Sequence, residues 1–390
     1  MRRLLVLNPT ELTRDPRARR TALTALDRGW EVMGLCRPAP GERPLELPGV
    51  EVVRVGHERV GGALRRAGLG GMRRASPVER ELRGLYRLGR LGRTTAAFVV
   101  AGRRAGRFDV VHANDLGTLP AGYLLARRSG ARLVYDAHEL YGDSEPDYPF
   151  TYGRAAGALE RALARRADAV VTVSEPIAEE LQARLGLRER PVAVLNCPDR
   201  VELEPSPGGE GPLRVVYQGA MGLSRPLEDL LRAAEAAEGV ELTIRVTNAD
   251  LGALRAEVSR RGLESLVRVA DPVEPTALVQ ALTEFEVGLV INRPLTRNDE
   301  LVFPNKVFEY LMAGLAVVVP RLPGLVPLVE GERIGLTYEP GRPKALGAAL
   351  SELARDRARL AELRARARRL ALERFNAEAQ REPLVRALGL

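Results

Sequence analysis

Apolar residues in this chain come in two arrangements. Short unbroken runs read as strands buried on both faces, and stretches with an apolar residue every third or fourth position read as helices covering them. In the first half, Leu4 to Asn8 is a buried strand, Pro9 to Asp15 a polar turn, and Pro16 to Asp27 a helix closed by Gly29. Trp30 to Cys36 and Val50 to Val55 continue as strands, a β-α-β start that predicts a parallel sheet. Strands at Val110 to Asn114, Arg132 to Glu139, Ala169 to Ser174 and Val192 to Cys197 alternate with helices from about Thr118, from Arg154 to Arg166 and from Pro176 to Leu185.

Pro198 to Pro212 is rich in Pro, Gly and Glu without a period, and reads as a linker. The alternation then restarts. Leu213 to Gln218 is a strand, a helix begins near Pro226, and further strands fall at Leu242 to Thr247, Val267 to Ala270, Val287 to Asn292 and Ile334 to Tyr338. Arg342 to Phe375 reads as helix, and Ala377 to Leu388 as a last piece able to pack back on the first half. The expected architecture is α/β: two Rossmann-like parallel-sheet domains, residues 1–197 and 213–375, facing each other across a cleft, with 376–390 returning to the first.

One helix organises the rest. Between Phe303 and Gly314, Val307, Phe308, Leu311 and Met312 form a buried stripe, which leaves Lys306, Glu309, Tyr310 and Ala313 opposite. Pro304 suits its first turn and Gly314 its end. Free amides behind Pro304 and the charge of Lys306 make this helix start attractive to an anion. Lys306 and Glu309 also read as a solvated i,i+3 pair.

A second phosphate-sized loop runs from Gly219 to Pro226, where glycines allow close backbone approach and Arg225 can add a bidentate contact. It reads equally as a plain turn with a surface arginine. Polar residues gather at two strand ends, His112, Asn114 and Asp115 on one, Asp136, His138 and Glu139 on the other. An open parallel sheet builds its ligand crevice there. Strand-end hydrogen bonding and contact with a substrate both stay open, but a metal fits poorly, because His138 and Glu139 face opposite sides of a strand.

Composition narrows the classes. With 390 residues and 45% hydrophobic content the chain can bury large cores, and no segment approaches the roughly 18 apolar residues of a membrane span, so a cytoplasmic protein is expected. Cys36 and Cys197 lack metal-ligand spacing and read as reduced thiols. No GxGxxG follows the first strand, which argues against an ordinary dinucleotide-binding dehydrogenase. Net charge is +8, but Arg54 to Arg107 alone holds 14 Arg against 3 Glu. Within it, Val78, Leu82, Leu85 and Leu88 make an apolar stripe, and Arg80, Arg83, Arg87 and Arg90 a basic one on roughly the other side. Such a helix suits an anionic membrane surface, or is a domain helix with a solvated basic face. Nucleic acid is disfavoured, since only Tyr86 and Phe98 interleave the charges, too few aromatics for base stacking.

Together these pieces carry a resemblance. Thr13 to Arg17, Val110 to Asp115, Tyr135 to Glu139, Ala167 to Ser174, Gly219 to Pro226 and Phe303 to Gly314 resemble, in order and spacing, the retaining GT-B-fold glycosyltransferases of family 4. The resemblance implies transfer of a sugar from a nucleotide-diphosphate sugar to an acceptor hydroxyl with retained configuration, without metal or other cofactor. It implies a glycan or lipid-linked acceptor, in surface polysaccharide or glycolipid synthesis at the inner face of a membrane. By position, Arg225 and Lys306 would hold the diphosphate and stabilise its growing charge, with Gly219 and Asn305 beside them and Glu309 on the ribose. His112 would join them in catalysis, and Asn114 and Asp115 would line the donor sugar. Asp15, Arg17, Asp136, His138 and Glu139 would form the acceptor side. The chain departs from the family pattern at Asn114, Ala220 and Leu301, where a histidine, an arginine and a glutamate are usual. A nucleotide-sugar epimerase and a non-catalytic nucleotide-sugar sensor or scaffold are the competing expectations.

Overall fold

The computed structural model describes residues 1–38, 44–56, 76–143, 149–301 and 303–390. It divides into two compact units, Met1–Leu195 with Arg381–Leu390, and Asn196–Gln380.

The first unit holds seven parallel strands, β1 (Arg3–Asn8), β2 (Glu31–Cys36), β3 (Val50–Arg54), β4 (Val110–Asn114), β5 (Arg132–Ala137), β6 (Ala169–Thr172) and β7 (Val192–Ala193), ordered β3-β2-β1-β4-β5-β6-β7. Helices α1 (Pro16–Asp27), α2 (Pro77–Arg104), α3 (Leu119–Ser129), α4 (Phe150–Ala164) and α5 (Glu175–Leu185) make the connections among the described residues. Central strands are fully covered, which is why they read as unbroken apolar runs. Strand order reverses between β1 and β4, whose carboxyl ends lie side by side with Leu7 opposite Ala113, while on the other side of β4 Asn114 lies opposite Asp136 of β5.

The second unit repeats this order in six parallel strands, β8 (Leu213–Gln218), β9 (Val240–Arg245), β10 (Val267–Ala270), β11 (Val287–Leu289), β12 (Ala316–Pro320) and β13 (Gly335–Tyr338), arranged β10-β9-β8-β11-β12-β13. Its helices are α6 (Leu227–Ala236), α7 (Leu251–Arg260), α8 (Leu278–Leu282), α9 (Arg297–Leu301), α10 (Asn305–Met312), α11 (Val326–Val329), α12 (Pro343–Arg355) and α13 (Arg357–Glu373). The switch point here lies between β8 and β11.

Several expectations need correction. The aperiodic stretch after Pro198 is no open linker, because arginines of α13 fasten it to the second unit. Arg368 donates to Val201 O and Leu203 O, Arg364 to Ser206 O, and Arg357 to Gly211 O. The expected single helix from Arg342 breaks at Asp356, whose carboxylate accepts from Arg359 N as a cap. The last piece needs no such correction: residues after Gln380 return to the first unit as α14 (Arg381–Leu388), which places Leu384, Ala387 and Leu388 in its core.

The basic segment differs most. Residues 57–75 lie outside the described residues, and α2 runs to Arg104, beyond the stripes read from the sequence. Val78, Leu82 and Leu85 are 69%, 59% and 55% exposed, so the stripe that a domain helix would have packed points outward. Glycines draw the seam instead. A Cβ on Gly84 would lie 2.7 Å from Pro149, and one on Gly102 2.6 Å from Leu125, so α2 packs through the side that lets neighbours approach closest.

Candidate active site

In the second unit, α10 is fixed before it presents anything. Tyr310, expected to face outward, is fully buried: its hydroxyl accepts from Gln218 N at 2.9 Å and donates to Leu289 O at 3.2 Å. Gly288 in β11 makes room for it, since a Cβ there would sit 2.2 Å from the ring. Phe308 packs against Phe375, ring centroids 5.5 Å apart. The helix is thereby pinned to the carboxyl ends of β8 and β11. Pro304 is its N-cap residue, and no side chain caps this start.

Lys306 projects from the first turn of α10, over the ring of Tyr217 at 4.2 Å from the centroid. A Cβ on Gly219 would be 2.9 Å from its Nζ, and Gly219 holds a φ of +127°, so this glycine serves both the turn and the lysine. Nζ is buried and has no hydrogen-bond partner among the described residues. Burial first, then the nearby Arg225, pull the ammonium down to about 7, with Glu309 opposing. Burial also pushes Glu309 up to about 7, against Lys306.

The loop after β8 is held by its own backbone. Tyr217 Oη donates to Ala220 O at 2.8 Å, Met221 exchanges hydrogen bonds with the Asn248 amide, and Arg293 N donates to Ser224 O at 2.7 Å. Arg225 closes a tight turn with Gly222. Its guanidinium makes no hydrogen bond or ion pair among the described residues. Asn305 is exposed at the helix start. Gln218 Oε1 and Asn292 Oδ1, which sequence reasoning passed over, are buried without partners where β8 and β11 end. A polar residue directly after an apolar run was the signal. Leu301 is 3% exposed and packed inside.

The first unit gathers its charges differently. Arg17, buried in α1, donates to Asp136 Oδ2 at 2.6 Å, to Val194 O at 2.5 Å and to Thr172 O at 3.1 Å. It therefore lies beneath the strand ends. Asp15 caps α1 by accepting from Arg17 N and Ala18 N. His112 is fully buried, with Nδ1 3.2 Å from Asn114 Nδ2 and Nε2 3.6 Å from Asp136 Oδ2. Burial drops it to about 4, which keeps it neutral, and donation by Asn114 to Nδ1 puts its proton on Nε2. Asn114 Nδ2 also donates to Leu7 O at 3.0 Å.

His138 stands nearer the surface, between Asp115 at 3.4 Å and Asp136 at 3.7 Å. Burial disfavours its charge, but the two carboxylates outweigh burial and raise it to about 9. Asp136 is held well below the usual carboxylate range by Arg17 and then His138, despite its burial. Asp115, at a φ of 64° just past β4, is pushed by burial up to about 6. Tyr141, absent from the sequence reading, donates its hydroxyl to Asp115. Glu139 is exposed. Among the described residues no group of three His, Cys, Asp or Glu is arranged to hold a metal ion.

Residues 15–198 match the family model of the glycosyl transferase 4-like domain, and residues 212–356 that of glycosyl transferases group 1. The structure is similar to sucrose-phosphate synthase from Thermosynechococcus elongatus, at a TM-score of 0.74 and 16% identity over 99% of this chain and 98% of that one. The chain belongs to the GT-B-fold glycosyltransferases. Anabaena HepE in complex with UDP-glucose has the same fold, at a TM-score of 0.70 and 17% identity over 100% of both chains. So does the lipopolysaccharide outer core galactosyltransferase WaaB, at 0.65 and 14% identity over 99% of both. At such identities the likeness shows the fold alone. Compared by sequence with curated proteins, this glycosyltransferase matches none.

Proposed function

We propose that this glycosyltransferase moves a sugar from a nucleoside diphosphate to an acceptor hydroxyl with retained anomeric configuration, and that it does so without a bound metal. The observation that carries the reading is Lys306 Nζ, a buried ammonium with no partner, set beside the glycine loop that ends in the unpaired Arg225. Two neighbouring cations lacking counter-ions form a demand for negative charge that a diphosphate would meet.

In the step proposed, the bond from the anomeric carbon to the β-phosphate oxygen breaks and its electron pair leaves with the diphosphate. The acceptor oxygen takes the anomeric carbon on the same face, and its proton passes to the departing phosphate. Lys306 and Arg225 stabilise the extra negative charge as it forms, the work a magnesium ion performs elsewhere. Glu309 accepts from the ribose diol. His138, flanked by Asp115 and Asp136, is the histidine that meets substrate, while His112 backs Asp136 from inside. This revises the catalytic part expected of His112.

UDP-sugars are the first donors to try, since the HepE structures hold UDP and UDP-glucose. The test is incubation with a panel of UDP-hexoses and simple alcohols or saccharides in chelator, following UDP release and the anomeric signal of the product by NMR. Metal-free transfer giving the donor's own anomer supports the reading. An inverted product would contradict retention, and turnover of the donor without acceptor would favour an epimerase.

A further inference from the structure

Helix α2 is 28 residues long, about 42 Å at 1.5 Å per residue, and begins at a capping box in which Ser76 and Glu79 satisfy each other's amides. Its inward side is set by Gly84, Phe98 and Gly102, all buried. At helical spacing the outward side then carries Val78, Leu82, Leu85, Gly89, Gly92, Ala96 and Val100, every one exposed. No charged residue interrupts this row. Phe150, 68% exposed at the start of α4, extends it sideways, because Glu81 of α2 accepts from the amides of Phe150 and Thr151.

Positive charge borders the row on the flank away from α4 and at its C-terminal end. Arg90, Arg93, Arg103 and Arg104 are exposed, and α2 as a whole holds seven arginines against two glutamates. Both glutamates are engaged with backbone amides, Glu79 at the helix's own cap and Glu81 at α4. Two copies of the chain joined through this face would therefore bring their arginines together, with only Glu79 and Glu81 of α2, both already held by backbone amides, to meet them. A surface that is apolar within and anionic at its rim suits both features at once.

We propose that the outer face of α2, with Phe150, lies in the interface of an anionic lipid bilayer, the apolar row sunk among the acyl chains and the arginines at the headgroups. This is contact along a surface. No helix among the described residues is long and apolar enough to cross a membrane. The inference stands independently of the donor site, because no residue of α2 takes part there.

The test is flotation of the full chain with phosphatidylglycerol vesicles and with phosphatidylcholine vesicles. Binding to the anionic vesicles is expected, falling several-fold on raising salt from 0.05 to 0.5 M and about tenfold or more in the charge-neutral double variant Leu82→Ser, Leu85→Ser, with its melting temperature unchanged. Arg90→Glu with Arg93→Glu should weaken it to a similar degree. Vesicle binding that ignores the leucine substitutions would overturn the proposal, leaving a purely electrostatic patch. Failure to bind either vesicle, with a dimer in solution that the leucine variant disperses, would overturn it in favour of a second copy of the chain.

Discussion

Arg17 and Lys306 are both buried cations near strand ends of a parallel sheet, and they are kept in opposite ways. Arg17 meets a carboxylate and two backbone carbonyls, and its partner Asp136 is approached in turn by His138 and His112. Charge is balanced inside that cluster before any ligand arrives. Lys306 meets an aromatic face and a glycine, and neither supplies a negative charge. The two differ in how buried charge is met: one cation fixes the backbone from which polar groups project, and the other stands without a hydrogen-bond partner among the described residues.

The largest effect should come from breaking the balanced side. Arg17→Met leaves Asp136 buried and charged with only His138 at 3.7 Å to oppose it, and should cost about 3–5 kcal/mol in urea unfolding. Lys306→Met removes an uncompensated charge instead, and should leave stability equal or higher. A comparable loss in both variants would erase the distinction. On ligand binding the order inverts. Lys306→Met should weaken a nucleoside diphosphate by about 10- to 150-fold, the equivalent of roughly 1.5–3 kcal/mol, while leaving the nucleoside unchanged in calorimetric titration.

The pH dependences should carry opposite signs. His138 is raised to about 9 in the folded chain from about 6.5 unfolded, so its stabilising charge is fully present below about 6.5 and is lost as pH rises through 9. Lys306 is lowered to about 7 from about 10.4 unfolded, so its penalty is fully present below 7 and disappears as pH rises towards 10.4. Relative to wild type, His138→Gln should therefore lose stability at pH 6 and little at pH 10, whereas Lys306→Met should gain at pH 6 and little at pH 10. Thermal melts across that range read both. The smallest effect should be Tyr141→Phe, which removes one hydrogen bond to Asp115, costs about 1 kcal/mol, and lets the Asp115 carboxyl titrate at higher pH by NMR.

Much of this was legible in the sequence, for identifiable reasons. Buried parallel strands are apolar throughout, so Leu4 to Leu7 and Ala316 to Val319 could be found without a partner in view. Strand ends are where polarity returns, which exposed His112, Asp136 and His138 as candidates. Periodicity failed where glycine sets the packing, as in α2, whose apolar row faces outward because Gly84 and Gly102 allow the closest approach on the other side. It failed again at Tyr310, which a helical wheel puts beside Glu309 but which Gly288, 22 positions earlier, receives into the core. Whether a charge is paired depends on contacts far apart in sequence, such as Arg17 with Asp136, and no spacing along the chain reveals them.

The most direct measurement is calorimetric titration of the wild-type chain with UDP and with uridine, in chelator, at pH 8 in two buffers of different ionisation enthalpy. UDP should bind without metal and far more tightly than uridine, taking up close to one proton per molecule as the anion restores the charge on Lys306. Equal binding of UDP and uridine, or UDP binding that appears only with a divalent cation, would contradict the assignment of Lys306 and Arg225 as the groups awaiting the diphosphate.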